Sequence, residues 1–239
     1  NDELHVNGNG KIIKVVNDKS SNITIVDPNG SRRRLSNYNI SPYFWGIGRG
    51  NNRQIVANIA GYYARQAGVY GLVGAKGDKI SGAFALYNYN DKGIWLQPSN
   101  SKGTVNSWLD NKYNLKNALQ HEYFHKLDDQ ENAYKNHLLH ASADERASST
   151  RTFAHTSYSW KLNVAIEFSE YVMNACYSPN KNTKAEAVNL INKFNQKNTG
   201  KILLKFNPAM QIMVINLKGK ATTIKYVQSQ DKFNFIIPK

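Results

Sequence analysis

Apolar residues in this chain alternate in short runs at both ends and recur at three- and four-residue steps through most of the middle. A chain patterned this way is neither all-helical nor all-β. Near the N-terminus, Lys11-Ile12-Ile13-Lys14-Val15-Val16 and Ile23-Thr24-Ile25-Val26 are β-rich. Asn-Gly pairs at 7–8, 9–10 and 29–30 supply tight-turn chemistry around them. Helical spacing follows over 51–67, through Ile55, Val56, Ile59, Ala60, Tyr63 and Ala67. A strand over 69–74 and a hairpin over 82–97 come next, the hairpin turning at Asn-Asp-Lys. Helices are expected over 114–128, 131–149, 160–177 and 183–197. Asp110, Asn111 or Asn114 can cap the first, and Asn198-Thr199-Gly200 stops the last. The tail then returns to strands around 202–204, 212–215, 222–227 and 233–237. The expected class is α+β, with a small mixed sheet, a central helix, further helices and a C-terminal antiparallel β meander. Residues 1–40 read as a β-rich lead-in segment and residues 41–239 as the main domain.

Composition narrows the field without choosing a chemistry. Of the 239 residues, 41% are hydrophobic and 20% charged, which suits a globular chain with a buried core. No stretch approaches the roughly 18–20 apolar residues of a membrane span, and the start does not resemble a signal peptide. The single cysteine, Cys176, excludes an intrachain disulfide. Lying in an apolar run with no CxxC partner, it reads as a small buried hydrophobe rather than a thiol nucleophile. The net charge of +14 fits either a solvated basic surface or an anionic partner such as nucleic acid. Its one dense cluster is Arg32-Arg33-Arg34.

The informative segment is His121-Glu122-Tyr123-Phe124-His125, an HExxH motif where periodicity already asks for a helix. Residues at i and i+4 lie one turn apart on one face, so two imidazole nitrogens there can bind one Zn2+ ion. Glu122 is placed beside them, where it can serve as general base toward a metal-activated water. Six His and seven Glu would produce this motif by chance in roughly one chain in 200. Five of the six histidines, at 121, 125, 137, 140 and 155, fall within 35 residues. The alternative is a polar helix face that happens to hold two histidines.

This segment resembles the zincin metallopeptidases, over about residues 115–150. The resemblance implies a zincin-like fold for residues 41–239 and hydrolysis of a protein or peptide substrate. The metzincin continuation is not met, since Asp128 stands in place of its glycine and Glu131 in place of its third histidine. The aspzincin GTxD segment is absent as well. The gluzincin branch takes a glutamate about twenty residues past the second histidine, and Glu145 lies at that distance. Glu145 also continues the stripe of Leu138 and Ala141, where a carboxylate is costly unless paired or metal-bound. His140 is the alternative third ligand, and His137 a weaker one. Asp128 and Asp144 could orient a ligand histidine, or could simply be ordinary helix aspartates. His155 and Tyr158 are candidates for a catalytic donor to the oxyanion. The resemblance further implies that Gly82–Tyr89 or Gly93–Gln97 is an edge strand that binds substrate by strand addition.

The opening Asp2-Glu3-Leu4-His5-Val6-Asn7, with Lys11 to Asp18, resembles the junction before the variable C-terminal domains of Rhs-type polymorphic toxins. That resemblance implies a secreted effector, delivered into a target cell, with a cognate immunity protein as partner. Two other readings stay open: a basic, nucleic-acid-acting toxin such as a nuclease, and a non-catalytic binding module.

Overall fold

The structure, a computed structural model, describes residues 2–17, 19–41, 49–76, 84–98, 103–131, 138–227 and 232–236. His137, Gly82, Ala83, Asp18 and residues 132–137 of the expected second helix lie outside them. The chain forms two compact units, residues 1–126 and 127–239.

In the first unit, strand β1 (Asp2–Val6) is central. It pairs antiparallel with β2 (Ile12–Asn17) and parallel with β3 (Ile23–Val26), and β4 (Arg32–Arg33) closes the other side of β3. The β1–β2 turn is built from its sequence. The Asn7 side-chain oxygen accepts from the amides of Asn9 and Lys11, and Gly10 takes the positive φ of +73°. Leu4, Val6, Ile23 and Ile25 form the buried face. Asp2 is buried beside them because it is fully partnered. Lys112 Nζ lies 2.8 Å from Oδ1, and the Tyr63 hydroxyl donates to Oδ2 at 3.0 Å. The triple arginine is committed to this sheet as well. Arg32 pairs with Glu3, Arg33 pairs with Asp27, and Arg34 donates to the Ile23 carbonyl.

Helix α1 (Arg49–Gln66) buries Ile55, Val56, Ile59, Ala60 and Tyr63, as its spacing requires, and packs on β5 (Val73–Ala75). The expected strand over 69–74 begins only at Val73, for a local reason. Gly68 adopts φ +74° after the helix, and the Val69 amide returns to the Ala64 carbonyl at 2.9 Å. That six-to-one closure uses Val69 to end the helix. Strands β6 (Ala85–Asn88) and β7 (Gly93–Leu96) form the expected hairpin. They complete a sheet in the order β5-β7-β6, with β6 outermost among the described strands.

Helix α2 (Lys112–Gln130) follows a short 3-10 turn, and Asn111 caps it, its side-chain oxygen accepting from the Tyr113 amide at 2.9 Å. Asp110 turns instead to Ser36, taking its amide and hydroxyl at 2.8 and 2.7 Å. Leu115, Ala118 and Leu119 bury the inner stripe of α2.

The second unit holds α3 (Leu139–Ser148), α4 (Arg151–Ala154), α5 (Tyr158–Cys176) and α6 (Lys181–Lys197). Helix α3 packs on α5 and α6, and Phe168 stacks on Phe194 at 4.5 Å. Asn198 stops α6 by serving both sides of the break. Its side-chain nitrogen donates to the Phe194 carbonyl and its oxygen accepts from the Ile202 amide. The expected meander is present as β8 (Ile202–Asn207), β9 (Ile212–Leu217), β10 (Lys220–Val227) and β11 (Lys232–Ile236), each antiparallel to the next. Helix α5 lies against β9 and β10. The class is therefore α+β, as the periodicity required. Among the described residues no helix is long and apolar enough to cross a membrane.

Candidate metal centre

Helix α2 carries the HExxH residues in its second half. His121 and His125 are one turn apart, and their Nε2 atoms approach to 3.1 Å. Two nitrogens each about 2.0–2.1 Å from one tetrahedral ion lie about 3.3 Å apart, so this donor pair fits a single cation. Imidazole donors suit zinc and the neighbouring transition metals. His125 is buried at 4% exposure and His121 is half-buried, so the pair sits at the edge of the packed helix face.

Glu122 is turned toward the hairpin. Its Oε2 accepts the Tyr87 backbone amide at 2.7 Å. The register explains why that amide is available. Tyr87 is paired with Ile94, whose own amide goes to the Leu72 carbonyl on the far side of β7 at 2.9 Å. The Tyr87–Ile94 pair is therefore a non-hydrogen-bonded one, and the Tyr87 amide points off the edge of the sheet. The resemblance implies an edge at Gly82–Tyr89 or Gly93–Gln97; among the described strands β6 is outermost and β7 is internal, and the sequence does not single out Tyr87, whose partner lies 35 residues away.

The other expected site residues belong to the second unit. Glu145 is buried at 6% exposure on α3, with Leu138 and Ala141 also buried, as the stripe predicted. The Ser149 hydroxyl reaches its Oε1 at 3.3 Å. Asp144 is buried beside it in sequence. Asp128 forms an ion pair with Arg146. His140 is exposed, and its ring lies flat on Tyr171, 4.9 Å between centroids and 5° from parallel. His155 is exposed at the C-terminal end of α4, and Tyr158 opens α5 half-buried. Cys176 is half-buried at the end of α5, and burial pushes its thiol above the usual range, which leaves it unactivated as a nucleophile.

Comparison with curated proteins and with solved structures finds no match. A family model described as metallopeptidase toxin 2 matches residues 4–203, which takes in most of the N-terminal sheet and every described helix. With the HExxH histidines paired on one helix face inside that span, the chain belongs to the metallopeptidase toxin 2 family.

Proposed function

We propose that the protein is a zinc-dependent peptidase toxin in which His121 and His125 bind the metal and Glu122 is the general base. The observation that carries this reading is the 3.1 Å approach of the two Nε2 atoms on one face of α2. A zinc ion held there supplies Lewis acidity and brings the pKa of a water down toward about 7. Glu122 follows His121 directly and its carboxylate stands at the outer edge of β6, where a polypeptide strand would add. From that position it takes a proton from water and passes it to the departing amine.

A catalytic zinc site takes three protein ligands and keeps one position open. Helix α3 offers two candidates for the third ligand. Glu145 is favoured by spacing and by its burial on an apolar stripe, His140 by its ligand chemistry and exposure. His155 and Tyr158 remain the candidate donors to the oxyanion. The toxin family supports delivery into a target cell and a protein substrate there; the resemblance of the N-terminal segment to Rhs-type junctions adds a cognate immunity protein in the producer. With Arg32, Arg33 and Arg34 bonded within their own sheet, the densest basic cluster gives little support to a nuclease.

Metal analysis of purified protein tests the reading. One zinc per chain is expected, retained by Glu122→Gln and lost from His121→Ala and His125→Ala. Cleavage of unfolded casein should fall at least about a thousandfold in Glu122→Gln. A zinc-free wild type that gains nothing from added zinc would overturn it. Glu145→Ala and His140→Ala compared for zinc retention identify the third ligand.

A further inference from the structure

Phe84 and Trp108 form an exposed aromatic pair whose place in the first unit ties it to the Glu122 site. Their rings stack at 5.6 Å and 22°. Trp108 is 37% exposed and Phe84 half-exposed. Each begins an element that leads to Glu122. Phe84 immediately precedes β6 and lies three residues before Tyr87, about 10 Å along an extended strand. Trp108 lies in the 3-10 turn before α2, whose axis covers about 15 Å from Lys112 to Glu122. Strand β6 and the turn leading into α2 thus set out from the aromatic pair, and strand and helix meet at the hydrogen bond between the Tyr87 amide and Glu122.

Alternation fixes the face. Ala85 and Tyr87 are buried, so Phe84 is presented on the opposite side of the strand from the core. Its backbone is held there, the Phe84 carbonyl accepting from the Gln97 amide at 3.2 Å. Trp108 is held independently. Asn106 takes its amide at 2.9 Å, and its carbonyl receives the Asn114 side chain at 2.9 Å. Two rings are therefore positioned by separate elements with part of their surface in water. Such a platform favours a large apolar or aromatic side chain.

We propose that the Phe84–Trp108 pair is a specificity subsite for a large apolar side chain of the polypeptide substrate, about three residues from the bond that is cut. The inference rests on the peptidase reading above. Antiparallel addition to β6, the more stable pairing, puts the residue opposite Phe84 on the C-terminal side of that bond.

Digestion of unfolded casein by the zinc-loaded protein, with every cleavage site mapped by mass spectrometry, tests the subsite. Phe, Tyr, Trp, Leu and Met should be enriched about three residues after the cut. That enrichment should fall at least fivefold in Trp108→Ala and in Phe84→Ala, while preferences at other positions persist. No enrichment there in the wild type, or enrichment unchanged in both variants, overturns the proposal.

A binding measurement separates this outcome from failure of the peptidase reading. Zinc-loaded Glu122→Gln is titrated with two fluorescein-labelled heptapeptides that differ only in one Phe or Ala. A preference for Phe of up to about tenfold, lost on adding Trp108→Ala, upholds the subsite even if casein is not cut. Equal binding of the two peptides overturns it.

Discussion

The backbone amide of Tyr87 donates a 2.7 Å hydrogen bond to Oε2 of Glu122. An outer-strand amide thus fixes the direction of the carboxylate that stands between the two HExxH histidines in sequence. Tyr87→Pro removes the donor at a position where an edge strand tolerates proline, whereas Tyr87→Ala removes the ring and keeps the donor. Turnover per zinc should be about tenfold lower in Tyr87→Pro than in Tyr87→Ala, with zinc content equal in both. Equal turnover in the two variants would show that this amide does not orient Glu122.

The pair formed by Asp2 and Lys112 is a buried one, with both side chains at or below 6% exposure. Removing one partner leaves the other charge uncompensated. Lys112→Met should therefore lower stability by about 3–5 kcal/mol, and the double variant Asp2→Leu with Lys112→Met should recover most of it. Urea unfolding at pH 7 measures both. The Tyr63 hydroxyl shares Asp2, and burial together with that carboxylate pushes its ionisation well above the ordinary tyrosine range.

Burial alone raises the carboxyl of Glu170 on α5 above its ordinary value. A raised carboxylate pKa means that the folded state resists ionisation, so the charge opposes folding at neutral pH. The penalty is absent below the unfolded value near 4.5 and develops as pH rises through the folded one. Glu170→Gln should therefore be more stable than wild type at pH 7 and indistinguishable from it at pH 4. Melting curves at the two pH values decide.

Cys176 has a thiol held above its usual pKa by burial. It should react with iodoacetamide at pH 7 more slowly than free cysteine, and Cys176→Ala should cut casein at the wild-type rate. A loss of cleavage in that variant would return the thiol to consideration as a nucleophile.

Much of this was legible in the sequence, and the limits have physical causes. The long described helices α1, α2, α5 and α6 announce themselves because each buries a stripe at helical spacing, and the HExxH pair needs only the geometry of a single turn. Strand β1 is less legible. Asp2 shares its buried face with Leu4 and Val6, so the run reads as polar, and the residue that neutralises it lies 110 positions away. Val69 misleads in the opposite way, being an apolar residue buried to close a helix rather than to extend a strand. The Tyr87–Glu122 bond depends on which amides of β6 face outward. That is a matter of register, which the loop closing at Asn88 and Gly93 sets and the composition of the strand itself does not.

The link between residues 2 and 112 also sets an order of events. A contact that spans most of the first unit is slow to form compared with a helix turn. Until β1 is docked, Lys112 has no counter-ion at the start of the helix that bears His121 and His125. A chain in which β1 has not docked would thus lack the Asp2 anchor at the base of that helix. The helix that carries the HExxH segment would therefore be tied down at its start only once the N-terminal sheet has formed.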